Sequence, residues 1–78
     1  MHEVGVAKEI LSLVLRKSEG KKILRIEVEL GNDGHTTPGS LRRAFQMIAK
    51  GTLAEEADLS IISTKALESR VVALEVES

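Results

Sequence analysis

Apolar residues recur every three or four positions along the first part of the chain. This spacing holds through residues 3–18, as expected for a helix with one buried face. Gly5 in the first turn weakens such a helix by about 1 kcal/mol relative to alanine, and Gly20 favours a helix end nearby. The pattern predicts an amphipathic helix, whose expected buried residues are Val4, Ala7, Ile10, Leu11, Val14 and Leu15.

The pattern changes to alternation in residues 22–30, where every second residue is apolar and most of the others are charged. A period of two predicts a strand with one apolar face. The side chains expected to point inward are those of Leu24, Ile26, Val28 and Leu30. The strand runs into residues 31–35, Gly-Asn-Asp-Gly-His, which predict a turn-rich loop.

A second helix is predicted from Thr37-Pro38, which has the residue types of an N-cap followed by proline in the first helical position. Its apolar stripe is expected to bury Leu41, Ala44, Phe45 and Ile48, and Gly51 favours a glycine cap at its end.

Two extended runs follow, residues 58–63 and 70–77, separated by residues 64–69. In the second run we expect Val72, Leu74 and Val76 to point inward. The order helix, strand, helix, strand, strand predicts an α+β fold in which two helices pack on one face of a three-stranded sheet. With 78 residues, the chain is expected to form a single domain over residues 1–78.

Composition narrows the range of functions. The net charge of -1 and the single aromatic residue, Phe45, argue against binding to nucleic acid, because neither a basic surface nor a stacking platform is present. The chain has no cysteine, so any metal must be bound by nitrogen and oxygen. No apolar run is long enough to span a membrane, and the start lacks the basic lead of a secretory signal, so a cytoplasmic protein is expected.

The first three residues, Met1, His2 and Glu3, form the candidate metal site. Bacterial processing keeps the initiator methionine when a large residue such as histidine follows it, so the free amine should belong to Met1. That amine, the peptide nitrogen of His2 and the His2 imidazole can close two adjacent chelate rings around one metal ion. From the residues alone, a solvated terminus in which Glu3 opens a helix remains the alternative.

This donor set favours nickel or copper over zinc. Ni(II) and Cu(II) promote loss of the peptide proton far better than Zn(II), and they favour the square-planar geometry that results. Glu3 can add a carboxylate or its backbone nitrogen. The reference pKa values of the amine and imidazole are about 7.8 and 6.5, so protons should displace the metal as the pH falls below neutrality.

Several features, in order along the chain, resemble the HypA/HybF family of nickel metallochaperones. They are the start Met1-His2-Glu3, the strand end Leu30-Gly31, the second helix with Leu41, Ala44 and Phe45, and the following Gly51-Thr52. The resemblance implies a nickel-binding domain, not an enzyme. It implies that His2 is indispensable, that Glu3 supports the site, and that Ni(II) is cargo for hydrogenase or urease maturation. The implied recipient is a partner GTPase or an apo-metalloenzyme.

Two departures from the family stand out. The family has a zinc subdomain with two CxxC pairs between its last two strands, and here residues 64–69 take its place, which implies a nickel-binding domain without zinc. The acidic residue that the family places near the metal corresponds to Thr37, unless Asp33 takes its role. His35 can approach the site as a fourth ligand or lie on the surface without a metal role.

Two other readings stay open. The chain can be an interaction module derived from this family that has lost metal delivery, and the exposed edge of a small sheet can pair with a second copy to form a homodimer. Catalysis has little support, because the only histidines are His2 and His35 and no nucleophile motif is present.

Overall fold

A computed structural model describes the backbone from His2 to Ser78 and the side chains from Glu3 onward. The predicted α+β class and element order are confirmed. The elements are α1 (His2–Lys17), β1 (Ile23–Leu30), α2 (Pro38–Ile48), β2 (Asp58–Ser63) and β3 (Arg70–Val76).

The three strands form one mixed sheet in the order β2-β1-β3. The central strand, β1, is parallel to β2 and antiparallel to β3. A parallel neighbour requires a crossover connection, and α2 lies in the connection between β1 and β2.

The core lies between the helices and one face of the sheet. Ala7 and Val14 of α1 and Leu41 and Phe45 of α2 are buried in the same cluster as Val28 of β1. The opposite face of β1 presents charged side chains: Arg25 pairs with Glu27 of the same strand, and Glu29 pairs with Arg70 of β3. Both helices therefore cover the same face, as predicted.

The prediction that Leu24 points inward is wrong. Ile23 is fully buried in its place, and Leu24 is 39% exposed. The register between β1 and β3 shifts between Ile23 and Arg25, which leaves Leu24 as an extra residue in the ladder. Such a bulge interrupts the alternation of faces along a strand.

The prediction for Val72 is wrong for the same reason. The register shifts again beyond Glu27, so that Val28 pairs with Val71 and Val72 is left over. Val71 packs against the core, whereas Val72 is 41% exposed. Leu74 and Val76 contact the core as expected.

The start of α2 matches its prediction. Thr37 is the N-cap: its Oγ1 accepts a hydrogen bond from the Ser40 N–H at 3.1 Å, and the Ser40 Oγ accepts from the Thr37 N–H at 3.0 Å. This reciprocal pair satisfies two helix-end donors. The helix ends at Ile48 with Ala49 as its C-cap, and Gly51 adopts a positive φ of 79° in the turn beyond. Among the described residues, no helix is long and apolar enough to cross a membrane.

Candidate metal site at the N-terminus

Of the predicted site, the structure describes the backbone of His2 and the whole of Glu3, both in the first turn of α1. The helix begins at His2, and Glu3 is half-buried in its first turn. Met1 and the side chain of His2 lie outside the described residues. A carboxylate at this position interacts favourably with the positive end of the helix dipole, by roughly 0.3–1 kcal/mol. Glu3 is thus placed to offset part of the repulsion that the helix end exerts on a bound cation.

A shallow groove runs along the N-terminal half of α1. Val6 and Glu9 line it from the helix, Asp33 from the loop after β1, and Glu68 and Ser69 from the connection between β2 and β3. Val6 lies about one helical turn beyond His2. Three segments that are distant in sequence therefore bring carboxylates to the flank of the helix that starts with the predicted ligands.

Asp33 organises the loop after β1. Its Oδ1 accepts hydrogen bonds from the backbone N–H groups of His35 and Thr36, both at 2.8 Å, and its Oδ2 accepts from the Thr36 hydroxyl at 3.0 Å. Asp33 lines the groove beside Val6, whereas His35 is exposed on the loop. Asp33 and His35 are the two further candidates for the site. The structure places Asp33 beside α1 in the groove, and His35 is not among the residues that line it.

The connection of residues 64–69 docks on the end of β1. Thr64 donates its N–H to the Leu30 carbonyl at 2.9 Å, and Asn32 donates to the Ala66 carbonyl at 2.7 Å. Backbone hydrogen bonds therefore hold residues 64–69 against the end of β1.

Gly31 allows this close approach. Its N–H donates to the Ser69 Oγ at 2.8 Å. A Cβ on Gly31 would lie 2.7 Å from backbone atoms of Leu67 and Glu68. The sequence predicted a turn at Gly31 and not this contact. A glycine directly after a buried strand can mark the close approach of another backbone, and that was the available signal.

Among the side chains from Glu3 onward, no three histidine, aspartate or glutamate residues lie close enough together to hold a metal ion. The groove therefore brings the carboxylates of Glu9, Asp33 and Glu68 to one flank of α1, but the described side chains do not form a ligand set.

Comparison with known proteins gives the family. Residues 1–69 match the model of the HypA family, described as hydrogenase/urease nickel incorporation, metallochaperone. The chain belongs to the HypA family. The match begins at residue 1 and ends at Ser69, directly before β3, so it includes both helices and the docked connection. Its family is one of nickel metallochaperones that serve hydrogenase maturation and are not enzymes, as the sequence predicted.

Curated relatives agree with this assignment. The hydrogenase maturation factor HypA of Crocosphaera subtropica is 32% identical over 65 residues, which are 83% of this chain and 57% of the relative. HypA of Methylocella silvestris is 36% identical over 64 residues, 78% of this chain and 57% of the relative. This HypA-family chain thus spans little more than half the length of the curated relatives that it matches.

Two solved structures share the fold. The solution structure of the nickel metallochaperone HypA from Helicobacter pylori superposes with a TM-score of 0.81 at 17% identity, covering 95% of this chain and 96% of that one. A second HypA solution structure gives a TM-score of 0.75 at 18% identity, covering 99% and 97%. In this HypA-family domain, residues 64–69 connect β2 and β3 directly.

Proposed function

We propose that residues 1–78 form a single nickel-binding domain that holds Ni(II) at Met1, His2 and Glu3 and passes it on during metalloenzyme maturation. The observation that supports this most is that the match to the nickel metallochaperone family starts at residue 1 and therefore includes these three residues. Nickel is the cargo of this domain, and zinc has no role in it.

The chemistry of the donors supports nickel. An amine, a deprotonated peptide nitrogen and an imidazole give an in-plane nitrogen set, which suits Ni(II) in a square-planar or tetragonal site. The peptide nitrogen and the Glu3 carboxylate each contribute negative charge, which offsets the positive end of α1. The carboxylates along the adjacent groove add to this field.

The position of the site supports transfer to another protein. The first turn of α1, in which Glu3 is half-buried, can be approached by a second protein without unfolding the core. The named relatives are hydrogenase maturation factors, so we propose that the recipient is a nickel-delivering GTPase or an apo-metalloenzyme of that kind of assembly, in the cytoplasm.

Isothermal titration of the native-terminus protein with Ni(II) tests the site. We expect one nickel per chain, and a loss of affinity of at least about tenfold in His2→Ala, since removal of one chelating donor typically costs that much or more. His35→Ala is the matched control, because it removes the other histidine of the chain; it should keep the affinity. Equal affinity of His2→Ala and the unaltered protein would refute the proposal.

A blocked amine gives an independent check. A two-residue Gly-Ser extension ahead of Met1 leaves every side chain in place but converts the amine into an amide, and nickel binding should fall as in His2→Ala. A one-residue extension is unsuitable, because it would place histidine third from a free amine, which is itself a nickel chelate.

The competing function is an interaction module without metal, which the short direct connection between β2 and β3 favours. If the protein captures a hydrogenase-maturation partner equally well with a chelator present and in His2→Ala, the interaction module is supported. Capture that requires nickel and His2 would support the carrier.

A further inference from the structure

Positive charge is concentrated around the second helix. Residues 34–54, which contain α2 and the segments on either side of it, include three lysine or arginine residues and no aspartate or glutamate. The whole chain has 11 basic and 12 acidic residues, so this segment is positive within a slightly negative protein. The first turn of α2 has no acidic residue, so nothing in that turn offsets the positive end of the helix dipole.

The fold uses one of these three basic residues. The Arg42 Nη2 donates a hydrogen bond to the Leu59 carbonyl of β2 at 2.8 Å. Arg43 and Lys50 are exposed, and neither forms an ion pair with another described residue. The ion pairs between described side chains lie along the sheet or in the turns beside it. Two cations at α2 are therefore left without a counter-ion in the described part of the chain.

These two cations lie on one stripe with an exposed methionine between them. Arg43, Met47 and Lys50 are four and three residues apart, and Lys50 directly follows the C-cap Ala49, so all three lie on the same face. Met47 is 72% exposed. At a rise of 1.5 Å per residue, Arg43 and Lys50 are separated by about 10 Å along the axis. This basic stripe has an apolar centre and a cation at each end.

The Arg43 side chain extends along the helix toward its N-terminus. A Cβ on Gly39 would lie 3.6 Å from the Arg43 Nη1, which is an ordinary contact distance. Gly39 is not among the glycines with positive φ, so neither the backbone nor packing requires glycine at this position. The missing side chain leaves that side of the guanidinium open to another molecule.

We propose that the basic stripe binds an acidic helix of another protein, in which one apolar residue lies between two carboxylates at the same spacing. The two carboxylates of the partner pair with Arg43 and Lys50 through charge-assisted hydrogen bonds. Its apolar residue packs on Met47, whose flexible thioether adapts to the shape of its neighbour. A helix that binds along such a stripe uses side chains three, four and seven residues apart, which is the spacing found here.

The charges and the single apolar residue of the stripe select this occupant. A second copy that presented the same stripe would place cations against cations, which repel. A membrane-binding helix needs a broad apolar face, whereas this stripe has one apolar residue, Met47. Nucleic acid needs several phosphate contacts and rings for stacking, and Phe45 is buried. An acidic helix matches both the charges and the methionine.

The contact is small and exposed, which sets its expected strength. One helical stripe is at the small end of protein interfaces, so we expect a dissociation constant in the micromolar range at low ionic strength. Salt screens exposed charges, so the affinity should fall as the ionic strength rises.

Fluorescence anisotropy with a designed helical peptide tests the stripe. The peptide is built on alanine and glutamine, with two glutamates seven residues apart and a leucine between them. We expect micromolar binding that weakens with salt. Lys50→Glu should weaken it by about fivefold to tenfold, because the reversal replaces an exposed attraction by a repulsion of similar size.

Lys65→Glu is the matched control. Lys65 is also exposed, but it lies on the connection between β2 and β3. The two substitutions are chemically identical and change the net charge equally, so a general effect of charge would weaken binding in both. The stripe predicts that Lys65→Glu binds the peptide as the unaltered protein does.

A charge exchange gives the sharpest result. The double variant Arg43→Glu with Lys50→Glu should lose the acidic peptide and should bind a matched peptide in which lysines replace both glutamates. Recovery with the second peptide also shows that the variant is folded, and circular dichroism verifies this independently.

Four outcomes would overturn the proposal. They are no binding of the acidic peptide, equal weakening by Lys50→Glu and Lys65→Glu, no binding of the lysine peptide by the double variant, and tighter binding of either of two other probes than of the acidic peptide. Those two probes are vesicles that contain phosphatidylserine and a single-stranded oligonucleotide.

The basic stripe does not depend on the proposed nickel site. Peptide binding should be the same in the presence of a chelator and in His2→Ala. Binding that required nickel would mean that the metal, rather than Arg43 and Lys50, attracts the glutamates, and would also overturn the proposal. A failure of nickel binding in titration leaves this result unchanged.

Discussion

At the residue scale, Gly31 is the one described glycine at which an added Cβ would collide with another part of the fold. Gly31→Ala would place a Cβ 2.7 Å from the backbone of Leu67 and Glu68, so the docked connection must move. We expect a loss of about 1–3 kcal/mol in the free energy of unfolding. Because this is a small domain, each kcal/mol corresponds to a fall of about 4–8 °C in Tm. Thermal unfolding monitored by circular dichroism measures it.

Gly5→Ala provides the control of opposite sign. A Cβ at Gly5 meets no atom within 4 Å, and the residue lies in α1. Alanine should therefore stabilise the helix by about 0.5–1 kcal/mol and raise Tm. If both substitutions changed Tm in the same direction, the close backbone contact would not be the reason that position 31 requires glycine.

At the element scale, an ion pair ties the start of β1 to the turn before β2. The Lys22 Nζ lies 2.7 Å from the Glu56 Oε1, and next to it the Ile23 N–H donates to the Leu53 carbonyl at 2.9 Å. The hydrogen bond and charge of Glu56 raise the pKa of Lys22, and those of Lys22 lower the pKa of Glu56. The pair stabilises the fold above the ordinary carboxyl pKa and below the ordinary lysine pKa.

The contribution of this pair is lost as the pH falls through the lowered pKa of Glu56, and again as it rises through the raised pKa of Lys22. Glu56→Gln should return the pKa of Lys22 toward its ordinary value, as measured by NMR titration of the lysine side chain. Glu55→Gln changes a neighbouring carboxylate that accepts instead from the Gly51 N–H at 3.2 Å, and it should leave Lys22 unaffected. An unchanged Lys22 pKa in Glu56→Gln would contradict the pairing.

The elements also show which features a sequence can predict. The start of α2 was predictable because an N-cap acts through Thr37 and its nearest neighbours alone. The exposure of Leu24 and Val72 was not predictable, because each bulge arises from pairing with a distant strand, and a bulge reverses the alternation on which the prediction depends. Of the candidate site, the position of Glu3 followed from the helix pattern. The approach of Glu68 did not, because it depends on how residues 64–69 fold back on β1.

At the scale of the whole molecule, the question is how far the fold contributes to nickel binding. The amine, peptide nitrogen and imidazole of the first two residues can chelate a metal in an unfolded chain. The placement of Glu3 in the first turn of α1 and the carboxylates along the groove exist only in the folded state. Nickel should therefore bind both states but prefer the folded one. By linkage, saturating nickel then raises the free energy of unfolding by the difference between its binding free energies to the folded and unfolded states, and not by the whole binding free energy.

Titration of the folded protein beside a short peptide of the first five residues separates the two contributions. We expect the protein to bind Ni(II) about tenfold more tightly, which corresponds to about 1.4 kcal/mol. Saturating nickel should then raise Tm by an amount that matches this difference in affinity. Equal affinities with no change in Tm would mean that the chelate acts alone. The fold would then serve only to present the ion to a recipient, and the acidic groove would have no part in holding it.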